Sequence, residues 1–253
     1  MNRLFLTGVL GLALSMVSAS VSNAAYYGDF SSPTGTVSFL GVGDLNGLYG
    51  MPTASGNSLD FSPNTFEISE CPDAPGCPPA LNAVSDTLTF QIDADAGNFI
   101  DGLLLTEAGD TTLQSFLNAF AATTVVGNVF VDVLEINGAP VNNVNANAVM
   151  VFSQNGEYES TDEGYGTHLW SGLLLLDITQ VISDAGEVGQ ATLVGVSLSN
   201  TLTAFAESGA TARIEKKDID GLAITVIPEP GSALLMGLGL AGLGSIRRRR
   251  PAR

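Results

Sequence analysis

The chain has 253 residues, and its 26 acidic side chains outnumber nine basic ones to give a formal net charge of −17. A surface this acidic is repelled by nucleic acid and by anionic membrane faces, which excludes polyanion binding as its role. The length suits one domain with a substantial core, once the two ends are set aside as targeting segments.

Residues 1–25 read as a secretory signal peptide. Arg3 is the positive start, Leu4 to Val17 the apolar core, and Ser22-Asn23-Ala24 the small residues before a cleavage point. Cleavage after Ala24 fits best, with Ala25 as the alternative. Residues 26–227 are expected to form the exported domain, and residues 228–253 a separate C-terminal segment. The exported domain keeps only three basic residues, Arg213, Lys216 and Lys217, against 25 acidic ones, so its charge is near −22. Outside the cell such charge serves solubility, and it attracts divalent cations.

Cys71 and Cys77 are the only cysteines. In an exported chain a local disulfide is the natural reading, and two cysteines with no nearby histidine make a poor zinc site.

Along the domain the dominant pattern is alternation of apolar and polar residues broken by Gly, Asn and Asp, which predicts short strands and turns. Extended segments are expected at Tyr26–Phe30 and Thr36–Leu40. A loop follows at Gly43–Gly47, and another strand leads to Pro63. Leu88, Phe90 and Ile92 alternate with Thr87, Thr89 and Gln91, so one face of that strand is apolar. Ile100–Thr106 is the next strand. Leu113, Phe116, Leu117 and Phe120 have helical spacing, but Thr123-Thr124-Val125-Val126 behind them favours strand. Asn128–Ile136 runs into Asn137-Gly138, a hairpin turn signal. Strands are expected at Asn145–Ser153 and His168–Leu176, with the polar stretch Gln154–Gly166 as a loop between them. Asp177–Ser183 reads as one short helical turn. Ala191–Phe205 is a long β-rich run with a break expected at Ser199-Asn200, and Arg213–Ile227 closes the domain. Roughly ten strands without a βαβ rhythm mean an all-β, antiparallel β-sandwich or jelly-roll-like domain.

Two acidic groups could carry chemistry. Asp93, Asp95, Asn98 and Asp101 offer alternating oxygens around Gly97, the kind of flexible loop that calcium needs. A polar turn between strands uses the same residue types and is the simpler reading. Glu157, Glu159, Asp162 and Glu163 surround Tyr158, Tyr165 and Trp170, a mixture that can hold sugars. A solvated acidic loop is its plainer reading. His168, the only histidine, lies in an apolar strand without a nucleophile-elbow motif, so a catalytic triad is not expected. No catalytic residues and no cofactor other than calcium are assigned. Lys216 and Lys217, beside Asp218 and Asp220, read as ion-paired residues at a strand end.

The C-terminus is the most specific stretch. Pro228-Glu229-Pro230 precedes 15 uncharged residues, Ser232 to Ile246, and then Arg247, Arg248, Arg249 and Arg250. As a helix the span is about 22 Å long, short for a bilayer core of about 30 Å. Its glycines weaken the helix further, and the arginines favour a cytoplasmic end. This order of elements resembles the PEP-CTERM sorting signal of Gram-negative bacteria. The resemblance implies a single transmembrane sorting helix, a transient stay in the inner membrane and processing by exosortase, a membrane-embedded cysteine peptidase. It also implies a surface or extracellular destination associated with exopolysaccharide and biofilm. The segments Tyr27–Phe30, Asn200–Ala204 and Ile214–Asp218 are similar to a recurrent class of PEP-CTERM exported domains without an assigned activity. On this reading the protein is a structural or adhesive component. A carbohydrate- or calcium-binding module is the alternative, and a secreted glycan hydrolase the third choice.

Overall fold

The computed structural model describes residues 24–63, 65–71, 78–115, 118–217 and 221–228. The signal-peptide core, Cys77, Glu229, Pro230 and Arg247–Arg250 lie outside the described residues. So does the apolar tail. Among the described residues no helix is long and apolar enough to cross a membrane.

Among the described residues sixteen strands form. They are β1 (Ala25–Ser31), β2 (Val37–Asp44), β3 (Thr53–Ser55), β4 (Ser58–Phe61), β5 (Glu67–Glu70), β6 (Ala80–Ala94), β7 (Ile100–Ser115) and β8 (Ala121–Ile136). Then come β9 (Ala139–Pro140), β10 (Asn145–Val149), β11 (Val151–Phe152), β12 (Glu157–Glu159), β13 (Gly166–Asp177), β14 (Ala191–Ala206), β15 (Ala210–Lys216) and β16 (Leu222–Pro228). One helix, α1 (Ile178–Asp184), follows β13, and the Asp177 side chain caps it by accepting from the Gln180 amide. The helical turn expected at Asp177–Ser183 is therefore present.

All the pairings are antiparallel, and they fall into two layers. One runs β1-β2-β6-β14-β8, with β9, β10 and β12 on the far edge of β8. The other is built on β7. β13 lines one edge of β7, while β16 and β15 share the other edge end to end. β4 and β3 extend β16, and β5 extends β15. Only the pair Ala191↔Ile100 joins β14 to β7, so the whole sheet nearly closes on itself. Asn137 and Gly138 both have positive φ and turn β8 into β9, as the Asn-Gly signal predicts.

Period-two side chains place the core between the layers. Leu88, Phe90 and Ile92 of β6 are buried, as their alternation predicts, while Thr89 and Gln91 are exposed. Val196, Leu198 and Leu202 of β14 meet Leu103, Leu105 and Leu113 of β7 and Ile214 of β15 in one cluster. Each such side chain contributes about 1.5–3 kcal/mol by leaving water.

Three expectations need correction. β14 does not break at Ser199-Asn200; it continues to Ala206, paired on both edges. Asn200 is wholly buried because its side chain finds polar partners inside, so no turn is required. Gln154–Gly166 is not all loop either, since β12 pairs with β8 there and buries Tyr158. And the strand count exceeds ten because pieces of two to five residues patch the edges of the long strands.

Candidate functional site

Polar residues occupy inward positions on three long strands. On β7 the inward set continues from Leu103 and Leu105 to Glu107. On β15 it continues from Ala212 and Ile214 to Lys216, and on β14 from Val196 and Leu198 to Asn200. The register that builds the core thus drives a carboxylate, an amine and a carboxamide to its centre. Lys216 Nζ lies 2.7 Å from Glu107 Oε2, and both side chains are completely shielded from solvent. Asn200 Nδ2 donates to the same Glu107 Oε2 at 3.1 Å. The Tyr49 hydroxyl donates to Asn200 Oδ1 at 2.6 Å.

Aromatic rings enclose the group. Lys216 Nζ sits 5.4 Å from the centre of the Phe66 ring, 5.6 Å from Trp170 and 5.8 Å from Tyr49. Rings at such distances attract a cation but supply no acceptor with a lone pair. Trp170 fits because residue 109 is glycine; a Cβ there would lie 2.1 Å from the indole. Residue 127, opposite Asn200 on β8, is glycine for the same reason: a Cβ would lie 2.8 Å from Asn200 Nδ2.

Not every buried polar atom of this centre is hydrogen-bonded. The Lys216–Glu107 contact is short but poorly aligned for a hydrogen bond, and Nζ, Glu107 Oε1 and Trp170 Nε1 have no hydrogen-bond partner. Burial pushes the Lys216 amine below the usual lysine range, and the neighbouring Glu107 charge only partly opposes that. Burial likewise pushes the Tyr49 phenol well above its usual value, with Glu107, Asp86 and Asp44 adding to the rise. Tyr49 therefore keeps its proton and remains a donor.

A loop positions Tyr49. Asp86 accepts from the amides of Leu45, Asn46, Leu48 and Thr87, and Asp44 from those of Gly47 and Tyr49 and from the Tyr27 hydroxyl. Gly43 and Asp44 still belong to β2, so the loop expected at Gly43–Gly47 begins only at Leu45, and it is organised around two buried carboxylates. Burial still raises the Asp86 carboxyl, because four amides only partly replace water.

The residues singled out in the sequence lie elsewhere. Asp93, Asp95 and Asn98 line one cleft of about 410 Å³ together with Glu135 and Asn137. Asp101 lines a different one, beside Leu175, Asp177 and Ile227. Among the described residues no group of three His, Cys, Asp or Glu side chains is placed to hold a metal ion. Glu157, Glu159, Asp162 and Glu163 do share a cleft of about 410 Å³. The aromatic platform that the sugar-binding alternative needs is not built beside them, because Tyr158 and Trp170 are buried and, of the three rings, only Tyr165 is exposed. The His168 ring lies 3.2 Å from the Gly164 carbonyl through Nε2. Lys216 and Lys217 are ion-paired, but with Glu107 and Asp110 of β7; Asp218 and Asp220 lie outside the described residues. Cys71 is disulfide-bonded.

A groove of about 510 Å³ crosses the outer face of the first layer. Leu40 and Gln91 stand on one side, Phe130, Asp132 and Leu134 on the other, with Gly195 and Ser197 between them.

The chain leaves the domain through β16. Val226 is buried there, Ile227 pairs with Gly102, and Pro228 ends the strand after a register shift. Residues 226–250 match the family model of the PEP-CTERM protein-sorting motif. The chain carries a PEP-CTERM sorting motif. The PEP-CTERM match thus begins inside the last strand and ends at the arginine cluster, and it implies export and processing by exosortase. At the other end Ala24 precedes β1, and Ala25 is its first residue, paired with Asp44.

No curated protein matches the chain. Among solved structures it resembles TmCBM61 in complex with beta-1,4-galactotriose at 10% identity and a TM-score of 0.18, covering 57% of this chain and 65% of that one. It also resembles the infectious bursal disease virus VP2 subviral particle at 12% identity and a TM-score of 0.19, covering 79% and 58%. The chain spans less than two thirds of either structure, and at such scores neither likeness bears on what it does.

Proposed function

We propose that the protein is a structural or adhesive component of the bacterial surface or extracellular matrix, delivered through its PEP-CTERM signal and associated with exopolysaccharide. The sorting motif at residues 226–250 carries this reading. The domain's form supports it: long strands paired on both edges make a stable body, and an acidic exterior keeps it soluble outside the cell. A strip of exposed Leu169, Leu173 and Leu175 on β13, near Val149 and Val151, offers an apolar edge for association. We read the role as passive rather than enzymatic, since the neighbouring Tyr158 and Trp170 rings are buried and leave the carboxylates of the acidic cleft only Tyr165 as an exposed aromatic partner. The tail would span the inner membrane until exosortase removes it, and cleavage after Ala24 would leave β1 whole.

The test is replacement of Pro228 and Pro230 by alanine, with fractionation of the host and a parallel strain lacking exosortase. The expected result in both cases is an unprocessed, membrane-held chain. Unchanged size and location would overturn the sorting role.

A second reading, carbohydrate binding, is favoured by the outer groove, where Phe130 stands 40% exposed beside Gln91, Asp132 and Ser197. Such a mix of ring and polar groups suits a sugar. Binding on a glycan array that disappears in Phe130→Ala would establish it; an array without signal would remove it.

A further inference from the structure

We propose that Lys216 and Asn200 join in an intramolecular amide bond, formed by the protein on itself with Glu107 as the proton-transfer group. The three side chains required are assembled. The amine and the carboxamide nitrogen converge on one oxygen, Glu107 Oε2, at 2.7 and 3.1 Å. Tyr49 donates to the carbonyl oxygen that would take up negative charge, at 2.6 Å. Lys216, Glu107 and Asn200 are all buried, which shields the centre from bulk solvent.

The present state also has reason to react. A buried ion pair is tolerated when its remaining donors and acceptors are satisfied. Here Nζ and Glu107 Oε1 are not. Aromatic rings surround the amine where polar partners would be needed. Burial favours the neutral amine, which is the nucleophile.

The step balances without oxidant or reductant. The Lys216 ammonium first passes a proton to Glu107, leaving amine and carboxylic acid. The Nζ lone pair attacks Asn200 Cγ, a C–N bond forms, and the carbonyl electron pair moves onto Oδ1, held by the Tyr49 hydroxyl. Glu107 gives its proton to Nδ2 and takes one from the attacking nitrogen. The Cγ–Nδ2 bond breaks, Oδ1 returns to a carbonyl, and ammonia leaves. Two charged groups in the core become an amide and a neutral acid. The bond ties β14 in one layer to β15 in the other, a cross-link suited to a domain that works unprotected outside the cell.

The experiment is a peptide map of the purified full chain after reduction, denaturation and cleavage at glutamate. Cleavage after Glu187, Glu207 and Glu215 puts Asn200 in residues 188–207 and Lys216 in the peptide that it begins. The expected product is those two peptides joined, lighter than their sum by one ammonia, with fragment ions placing the link at Asn200 and Lys216. Glu107→Gln keeps both partners and should yield them unlinked. Two separate peptides at full mass from the wild-type chain overturn the proposal. So does an ammonia loss that maps to a single peptide, which is cyclisation of an asparagine and not a cross-link. A linked product that persists in Glu107→Gln overturns the role of Glu107.

Discussion

The acidic loop around Glu157–Glu163 and the buried centre around Lys216 both gather ionisable groups, yet they are opposites. In the loop four carboxylates line an open cleft and none meets a basic side chain among the described residues. Water solvates each of them, so the arrangement costs little and fixes little. In the core one amine and one carboxylate are shut away with two further polar side chains and three rings. There every missing partner has an energetic cost, because the low dielectric strengthens what is paired and penalises what is not. The count of charges in a stretch of sequence therefore says less than the depth at which one of them lies.

The largest expected effect comes from breaking the centre. Lys216→Met prevents the link to Asn200 and leaves the buried Glu107 without its basic partner, and it should destabilise the domain by about 3–5 kcal/mol, the usual cost of breaking a buried pair. For a domain of this size that is a fall in the thermal midpoint on the order of 10 °C, readable by circular dichroism. Adding Glu107→Met removes the stranded carboxylate and should restore much of the loss. The part not restored belongs to the link with Asn200. If Lys216→Met alone leaves the midpoint unchanged, the centre is no more consequential than the loop.

Much of the frame was legible from the chain. The alternation Leu88-Phe90-Ile92, the Asn137-Gly138 turn and the helical turn after Asp177 all depend on local patterns, and all are found. The centre was hidden for a physical reason. Its members come from β7, β14 and β15, with Tyr49 from a loop, and no local window contains them together. One signal was present. Counting by twos from Leu103 and Leu105 reaches Glu107, from Val196 and Leu198 reaches Asn200, and from Ala212 and Ile214 reaches Lys216. Asparagine after serine suggested a turn, but on a strand paired along both edges the ladder outweighs that local preference. The calcium pattern Asp93–Asp101 shows the limit of local spacing from the other side. Its spacing is tidy, but Asp101 has already entered β7 and lines another cleft. The sorting motif was readable because all its residues lie in one local window, 226–250.

An intermediate case sharpens the comparison. Arg213 pairs with Glu67 and Glu215 at the surface, with Glu67 and Arg213 each nearly half exposed. The hydrogen bond from Arg213 holds the Glu67 carboxyl below its usual range. Its folded value is thus lower than its unfolded one, so the unfolded chain binds the proton more readily. The stabilisation is present above the unfolded value of about 4.3 and is lost as pH falls through the lowered one. Burial raises the Glu215 carboxyl instead, so its contribution runs the other way and grows as pH falls. Glu67→Gln should cost only about 0.5 kcal/mol at neutral pH after solvent screening, and should flatten the acid limb of a stability profile. A cost near that of Lys216→Met would mean that exposure does not discount this pair.

The smallest effect is expected at the acidic loop itself. Replacing Glu157, Glu159, Asp162 and Glu163 together by their amides removes four negative charges from one cleft, and among the described residues only Glu159 has a carboxylate that takes a side-chain hydrogen bond, a 3.3 Å contact from Thr161. The backbone of β12 and the burial of Tyr158 do not depend on these side chains, since Tyr158 is held by Ser153 and by pairing with β8. The thermal midpoint should therefore stay the same or rise slightly as repulsion is relieved, and the difference should shrink with added salt. A clear loss of stability, or a loss that millimolar calcium reproduces in reverse in the wild-type chain, would show that the carboxylates hold something. The loop would then be a site, and depth would no longer separate the two regions.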